Sequence, residues 1–168
     1  MDVLMALLRL IHMFAGVLWV GTAFFFVLFL EPTIKAAGAE GGKFMQRLTQ
    51  TRLAVTLSLA SALVVVSGLV MYWVESGGLQ AAWIGSATGI ALTVGGAAGI
   101  LAFVVGLLVQ APATARIAAV QKEMQAAGGP PTPAQLAEIG AQQEKISQGS
   151  RWGAVLMVIA LIGMAIAR

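Results

Sequence analysis

Four long apolar stretches constrain the fold of this chain more than any other feature. They cover residues 3–30, 53–74, 83–109 and 150–167. About 20 apolar residues in a helix cross a hydrocarbon layer, and continuous runs of this length exceed those of ordinary core strands. Only 10% of the residues are charged, against about a quarter in soluble domains. The sequence therefore predicts an all-α protein, a four-transmembrane-helix bundle forming a single integral membrane domain over residues 1–168.

The charges of the connecting segments predict the orientation. Eight basic residues lie in the two long connections: Lys35, Lys43, Arg47, Arg52, Arg116, Lys122, Lys145 and Arg151. Only Arg9 and Arg168 lie on the opposite side. Because cytoplasmic loops carry the excess of Lys and Arg, we expect both termini outside the cytoplasm, in a bacterial plasma (inner) membrane. The basic residues form no patch interleaved with aromatics, so we expect no nucleic-acid partner.

Residues 110–149, between the third and fourth spans, predict a helical hairpin on the cytoplasmic side. Good helix formers dominate as far as Ala127, and the chain turns at residues 128–131. Thr132 followed by Pro133 and Gln135 has the chemistry of a helix start, with a capping hydroxyl and a partner three residues later. The third span is therefore expected to continue past Pro112, and the fourth to begin well before the membrane.

One face of the first span carries Met5, Arg9, His12, Gly16 and Trp19, at helical spacings of three or four. Ionisable side chains at membrane depth usually face the bundle interior. A neutral imidazole is a haem iron ligand, Arg9 lies one turn closer to the outer surface and suits a propionate, and Gly16 leaves room for a flat macrocycle. The alternative is that His12 hydrogen-bonds another helix, Arg9 reaches the headgroups and Trp19 packs in the core.

The second span supplies a candidate partner for His12. Ser67, Gly68 and Met71 lie at the level that His12 should face. The Met71 thioether is a possible second axial haem ligand, Gly68 is a possible clearance residue, and thioether plus imidazole also suits Cu(I). Methionine is equally a plain filler of apolar bundles.

Glycines of the third span form a row along one helix face: Gly85, Gly89, Gly96, Gly99 and Gly106. Such a row favours close helix packing or dimerisation. Shaping a slot for a porphyrin is the alternative.

The residue inventory excludes several chemistries. The chain has no cysteine and a single histidine, so thiolate sites are impossible and a bis-histidine haem would need His12 from two chains. It has no phosphate-binding loop, no G-x-S-x-G motif and no pair of carboxylates within the spans. We therefore expect binding rather than catalysis.

The segment from His12 to Phe25, HMFAGVLWVGTAFF, resembles the first helix of the CopD-like and HemJ-like bacterial membrane proteins and of an uncharacterised branch beside them. In those families a histidine is followed by a glycine and a Trp-x-Gly step, which here are His12, Gly16, Trp19 and Gly21. The resemblance implies a helical bundle that binds haem b through the first-helix histidine, as in the HemJ-like branch, or that handles copper at the outer face, as in the CopD-like branch.

Together these features predict a haem b protein for electron transfer or haem handling near the outer membrane face. The predicted cofactor-binding residues are His12, Arg9, Gly16, Trp19, Gly68 and Met71, with His12 and Met71 as metal ligands. The expected partners are the lipid bilayer and either a second copy of the chain or a larger membrane complex. A cofactor-free accessory subunit and a Cu(I)-binding protein are the alternatives.

Overall fold

The computed structural model describes residues 3–167, so Arg168, counted above among the basic residues, lies outside the described residues. Its elements are helical throughout: α1 (Val3–Phe25), α2 (Glu31–Ala36), α3 (Gly38–Thr49), α4 (Leu53–Glu75), α5 (Ala81–Ile84), α6 (Ala87–Val105), α7 (Ala111–Ala127) and α8 (Pro133–Ile166). Two π-helical segments, Phe26–Leu30 and Gly106–Gln110, join α1 to α2 and α6 to α7. The predicted all-helical architecture is confirmed.

Four continuous helical rods are long and apolar enough to cross a membrane: Val3–Ala36, Leu53–Glu75, Ala87–Ala127 and Pro133–Ile166. The most extensive packing is between α6 and α8 and between α1 and α4. Smaller contacts of α4 with α6 and of α1 with α8 close the bundle. Each span therefore packs on the next along the chain, and the last packs on the first.

The two π-helical segments explain how proline enters the middle of a rod. Pro32 and Pro112 each occupy the second residue of the helix that follows a π segment. Proline donates no backbone hydrogen bond and its ring crowds the carbonyl of the preceding turn. A widened π turn gives that ring space, so the first rod does not end at Leu30, as the apolar run suggested, but continues to Ala36.

Local capping chemistry sets the ends of the arm formed by α7 and the first part of α8. α7 ends at Gly128, whose φ of 64° is left-handed and suits glycine. α8 begins at Thr132 with a capping box in which Thr132 and Gln135 hydrogen-bond reciprocally. The predicted helix start at Thr132 is therefore confirmed. α7 packs against α8, and Arg116 Nε lies 3.1 Å from Glu138 Oε1.

The interior of the bundle is built from small residues and the exterior from large apolar ones. Buried positions include Ala15, Ala60, Ala98, Ala102 and Ala160. Many Leu, Val, Ile and Phe side chains of the spans are exposed. Small interior residues let helix backbones approach closely, while large apolar side chains suit contact with acyl chains. This distribution is that of a multi-pass membrane protein.

Candidate functional site

His12 lies half-buried on α1 and faces α4. Its Nδ1 is 3.0 Å from the Val64 carbonyl oxygen and 3.1 Å from Ser67 Oγ. A carbonyl oxygen only accepts hydrogen bonds, so Nδ1 carries the proton. The Ser67 hydroxyl donates to the Leu63 carbonyl, which leaves its oxygen free to accept from Nδ1. When the ring is neutral, its lone pair is therefore on Nε2, and this atom forms no hydrogen bond within residues 3–167.

Gly68 makes the close approach of this imidazole possible. A Cβ atom at position 68 would lie 3.0 Å from His12 Cε1 and 3.4 Å from Nδ1. An alanine there would have to displace the ring, because the first distance is shorter than ordinary carbon contacts. Gly68 thus gives clearance to His12 itself. Gly16, predicted in the same role, is under no such constraint, since its Cβ would lie 3.9 Å from Val64 Cγ2.

Arg9 reaches the far end of α4. Its NH2 atom lies 2.8 Å from Glu75 Oε1, and the two side chains are 55% and 44% exposed. The sequence predicts Arg9 as a propionate partner. It does not predict the pairing with Glu75, although Glu75 is the only acidic residue at that end of the second span. A guanidinium has five donor hydrogens, so this pairing leaves further donors on Arg9.

Met71 and Trp19 are each half-buried. Met71 lies one turn beyond Ser67 on α4, but no hydrogen bond joins its sulfur to His12 in the described part of the chain. The neighbouring Tyr72 hydroxyl lies 2.6 Å from Thr93 Oγ1 and links α4 to α6. The structure thus brings His12, Ser67 and Gly68 together, with Met71 on the same helix and Arg9 one turn away.

Glu31 forms a second polar cluster, at the opposite end of the first rod. Its Oε1 accepts hydrogen bonds from Ser147 Oγ at 2.6 Å and Lys35 Nζ at 2.7 Å, and lies 3.4 Å from Arg151 NH2. Glu31 is 8% exposed, and its buried Oε2 has no partner among residues 3–167. The sequence alone does not indicate this cluster, because the partners on α8 are more than a hundred positions away.

The described residues set limits on metal binding. Within residues 3–167, no group of three or more His, Cys, Asp or Glu side chains is placed to hold a metal ion. His12 is therefore a single donor, and a metal there needs further ligands from a macrocycle, a thioether or another chain.

An apolar groove of about 470 Å³ separates part of α1 from α4, with Phe14, Leu18 and Leu59 among its walls. His12 is not one of its lining residues. This groove is therefore not the predicted site, and the imidazole instead packs on the backbone of α4.

The chain matches no known protein family, no curated protein sequence and no solved structure.

Proposed function

We propose that this chain is a membrane-embedded haem b protein that serves electron transfer or haem handling, with His12 Nε2 as an axial ligand of the iron. One observation carries the proposal: the Nδ1–H of His12 is directed at the Val64 carbonyl. Metal-ligating histidines commonly donate their other ring N–H to a backbone carbonyl, which fixes the tautomer and raises the basicity of the ligating nitrogen.

The donor chemistry at His12 fits a haem. The bound iron would carry one electron by changing its oxidation state. His12 would supply a neutral nitrogen to the iron, and the Met71 thioether or His12 of a second copy would supply another donor. Trp19 offers an aromatic packing surface, and the spare donors of Arg9 suit a propionate. Gly16, which has no side chain, would let a macrocycle approach α1.

The walls of the site would come partly from a second chain. His12 packs against α4 and does not line the groove between α1 and α4, so one bundle alone does not supply a pocket for a tetrapyrrole there. A homo-oligomer or a larger membrane complex would supply the missing surface, and a bis-histidine haem would need His12 from two copies of the chain.

The proposed orientation follows from the basic residues. The basic connections between spans one and two and between spans three and four lie in the cytoplasm, and both termini lie outside. The arm of α7 and α8 is then a cytoplasmic helical hairpin, and His12 lies in the outer half of the inner membrane.

A visible absorption spectrum tests the proposal. Protein purified in mild detergent and supplied with haemin should show a Soret band that His12→Ala abolishes and that added imidazole restores. Met71→Leu should change the spin state if the sulfur is the second ligand and leave it unchanged if two histidines bind. The control is Met13→Leu, a methionine on an exposed position of the same helix as His12. A wild-type protein without a Soret band overturns the proposal.

A cofactor-free accessory subunit is the second candidate. It is favoured by the hydrogen bonding of His12, since the contacts with Val64 and Ser67 already give the ring a role in joining α1 to α4. In that case haemin leaves no band and metal analysis finds no copper. Copper that co-purifies with the protein and is lost in both His12→Ala and Met71→Leu would instead support the Cu(I) alternative.

A further inference from the structure

A cleft of about 420 Å³ lies where the third span meets the arm of α7 and α8. We name it the arm cleft and define it by its lining residues: Leu108, Val109, Pro112, Ala113, Arg116, Gln142 and Lys145. It is separate from His12, and nothing proposed above uses it.

The floor of the arm cleft is apolar and lies at the end of the membrane span. Leu108 and Val109 belong to the π-helical segment Gly106–Gln110, and their side chains are 67% and 37% exposed. Pro112 and Ala113 continue this surface into α7. Exposed apolar side chains at this position are suited to contact with lipid acyl chains rather than water.

The rim of the arm cleft is polar, and the residues that line it include two cations, Arg116 and Lys145, and no carboxylate. Arg116 is half-exposed and pairs with Glu138 at 3.1 Å, while Gln142 Nε2 donates to the same carboxylate at 3.0 Å. Lys145 is exposed and forms no hydrogen bond or ion pair within residues 3–167. Arg116 also lies 3.9 Å from Glu123 Oε1. Both neighbouring carboxylates therefore pair with Arg116, and Lys145 is the cation available to an added anion.

The separation between floor and rim places the basic side chains within reach of the phosphates of a lipid whose acyl chains contact the floor. Seven residues of helix separate Val109 from Arg116, a rise of roughly 10 Å. The headgroup layer on each side of the hydrocarbon is about 5 to 8 Å thick. When the floor lies at the edge of the hydrocarbon, the backbone at Arg116 lies a few ångströms beyond this layer, and the long basic side chains of the rim can extend back to the phosphates.

We infer that the arm cleft binds one anionic phospholipid. The phosphate pairs with Lys145 and with the free donors of Arg116, and the first carbons of an acyl chain cover Leu108 and Val109. Basic pockets beside transmembrane helices commonly hold anionic headgroups. A free phosphate ion would satisfy the rim but leave the apolar floor uncovered, so the observations favour the lipid. This inference is independent of the proposed haem.

A lipid titration of the full-length protein in mild detergent tests the inference. Dioleoylphosphatidylglycerol should bind more tightly than dioleoylphosphatidylcholine. Lys145→Gln should weaken the phosphatidylglycerol binding several-fold and leave the phosphatidylcholine binding unchanged. Lys122→Gln is the matched control, because Lys122 is an exposed lysine of the same arm that does not line the cleft. Circular dichroism checks that both variants keep their helix content.

Three results would overturn the inference. One is equal binding of the two lipids by the wild-type protein. Another is an equal loss in both lysine variants, which indicates attraction to the whole basic arm. The third is displacement of phosphatidylglycerol by inorganic phosphate or by deacylated glycerophosphoglycerol at similar concentrations, which assigns the cleft to a free headgroup.

Discussion

The two main helix interfaces of the bundle are held together by different kinds of contact. α6 and α8 meet through backbone contact: a Cβ at Gly163 would lie 2.7 Å from the Ala91 carbonyl oxygen and 2.8 Å from Gly95 Cα. α1 and α4 meet through polar side chains, with His12 on the Val64 carbonyl and Arg9 on Glu75. Close backbone packing alone joins helices well in lipid.

This difference makes His12 the unusual residue. Placing an ionisable group inside a membrane bundle costs free energy, and such groups usually have a functional role. The α6–α8 interface shows that two spans of this chain can pack together without such a polar group. If the two interfaces have different purposes, removing a glycine contact should mainly reduce stability, whereas removing the imidazole should mainly remove a function.

The largest expected effect is that of Gly163→Ala. The new methyl group would meet backbone atoms of α6, which cannot yield as a flexible side chain does. We expect a loss of about 2 to 3 kcal/mol in the free energy of unfolding, the upper part of the range for overpacking. Unfolding in mixed detergent micelles, followed by circular dichroism, measures it.

The matched control for that variant is Gly153→Ala on the same helix. Gly153 is buried, yet its Cβ would meet no atom within 4 Å. Its replacement should leave stability unchanged or slightly higher because alanine favours helix. Equal losses in the two variants would show that the α6–α8 contact does not depend on Gly163.

Ser147→Ala should have the next largest effect. The substitution removes the 2.6 Å hydrogen bond from Ser147 to Glu31. Because Glu31 belongs to the first rod, this loss weakens the connection of the first rod to α8. Hydrogen bonds to charged groups contribute about 1.5 to 3 kcal/mol, and we expect a loss near the lower end because Lys35 still pairs with the carboxylate. Ser150→Ala, on the same helix, is the control, and a similar loss there would refute the role of Ser147.

His12→Ala should reduce stability by about 1 kcal/mol, since hydrogen bonds between membrane helices contribute roughly 0.6 to 1.7 kcal/mol. Gly68→Ala should reduce it as well, because the new Cβ displaces the ring. Gly16→Ala, at the same interface with ordinary space, is the control. If His12→Ala reduced the free energy of unfolding as much as Gly163→Ala does, His12 would be a main structural residue and the distinction between the two interfaces would be weakened.

The smallest effect is expected for Arg9→Gln. The Arg9–Glu75 pair is about half-exposed, and exposed ion pairs contribute about 0 to 1 kcal/mol. A double-mutant cycle with Glu75→Gln at low and high salt measures the coupling, which should fall as salt rises. If Arg9 also holds a haem propionate, the variant should shift the midpoint potential of the bound haem far more than it shifts stability.

The sequence predicted the spans well, because a long continuous apolar run indicates a membrane span regardless of which helices pack against it. The helix start at Thr132 and the continuation past Pro112 were also predictable, since capping and proline chemistry act within a few residues. Contacts between residues that are distant in sequence were not predictable. Gly163 packs on Gly95, while Gly96, a member of the predicted row, has no atom within 4 Å of its Cβ. The helix face that a partner occupies is set by the whole bundle.

The candidate site was predicted only in part. His12 and Gly68 do meet, but Gly68 gives room to the imidazole itself. Glu75 and Ser147 were missed because an isolated polar residue carries no periodic signal. The haem, the copper alternative, the orientation and the oligomeric state stay predictions, because each depends on a ligand, a membrane or a second chain.

The π-helical turns before Pro32 and Pro112 act as joints. Helices bend most readily at proline and at widened turns, so the first and third rods can change direction at these points. Both joints contact α8, which passes straight by them. Because α8 is one unbroken helix from the arm into the fourth span and packs against α7, it fixes the direction of the arm, and the joint before Pro112 lets α7 follow it.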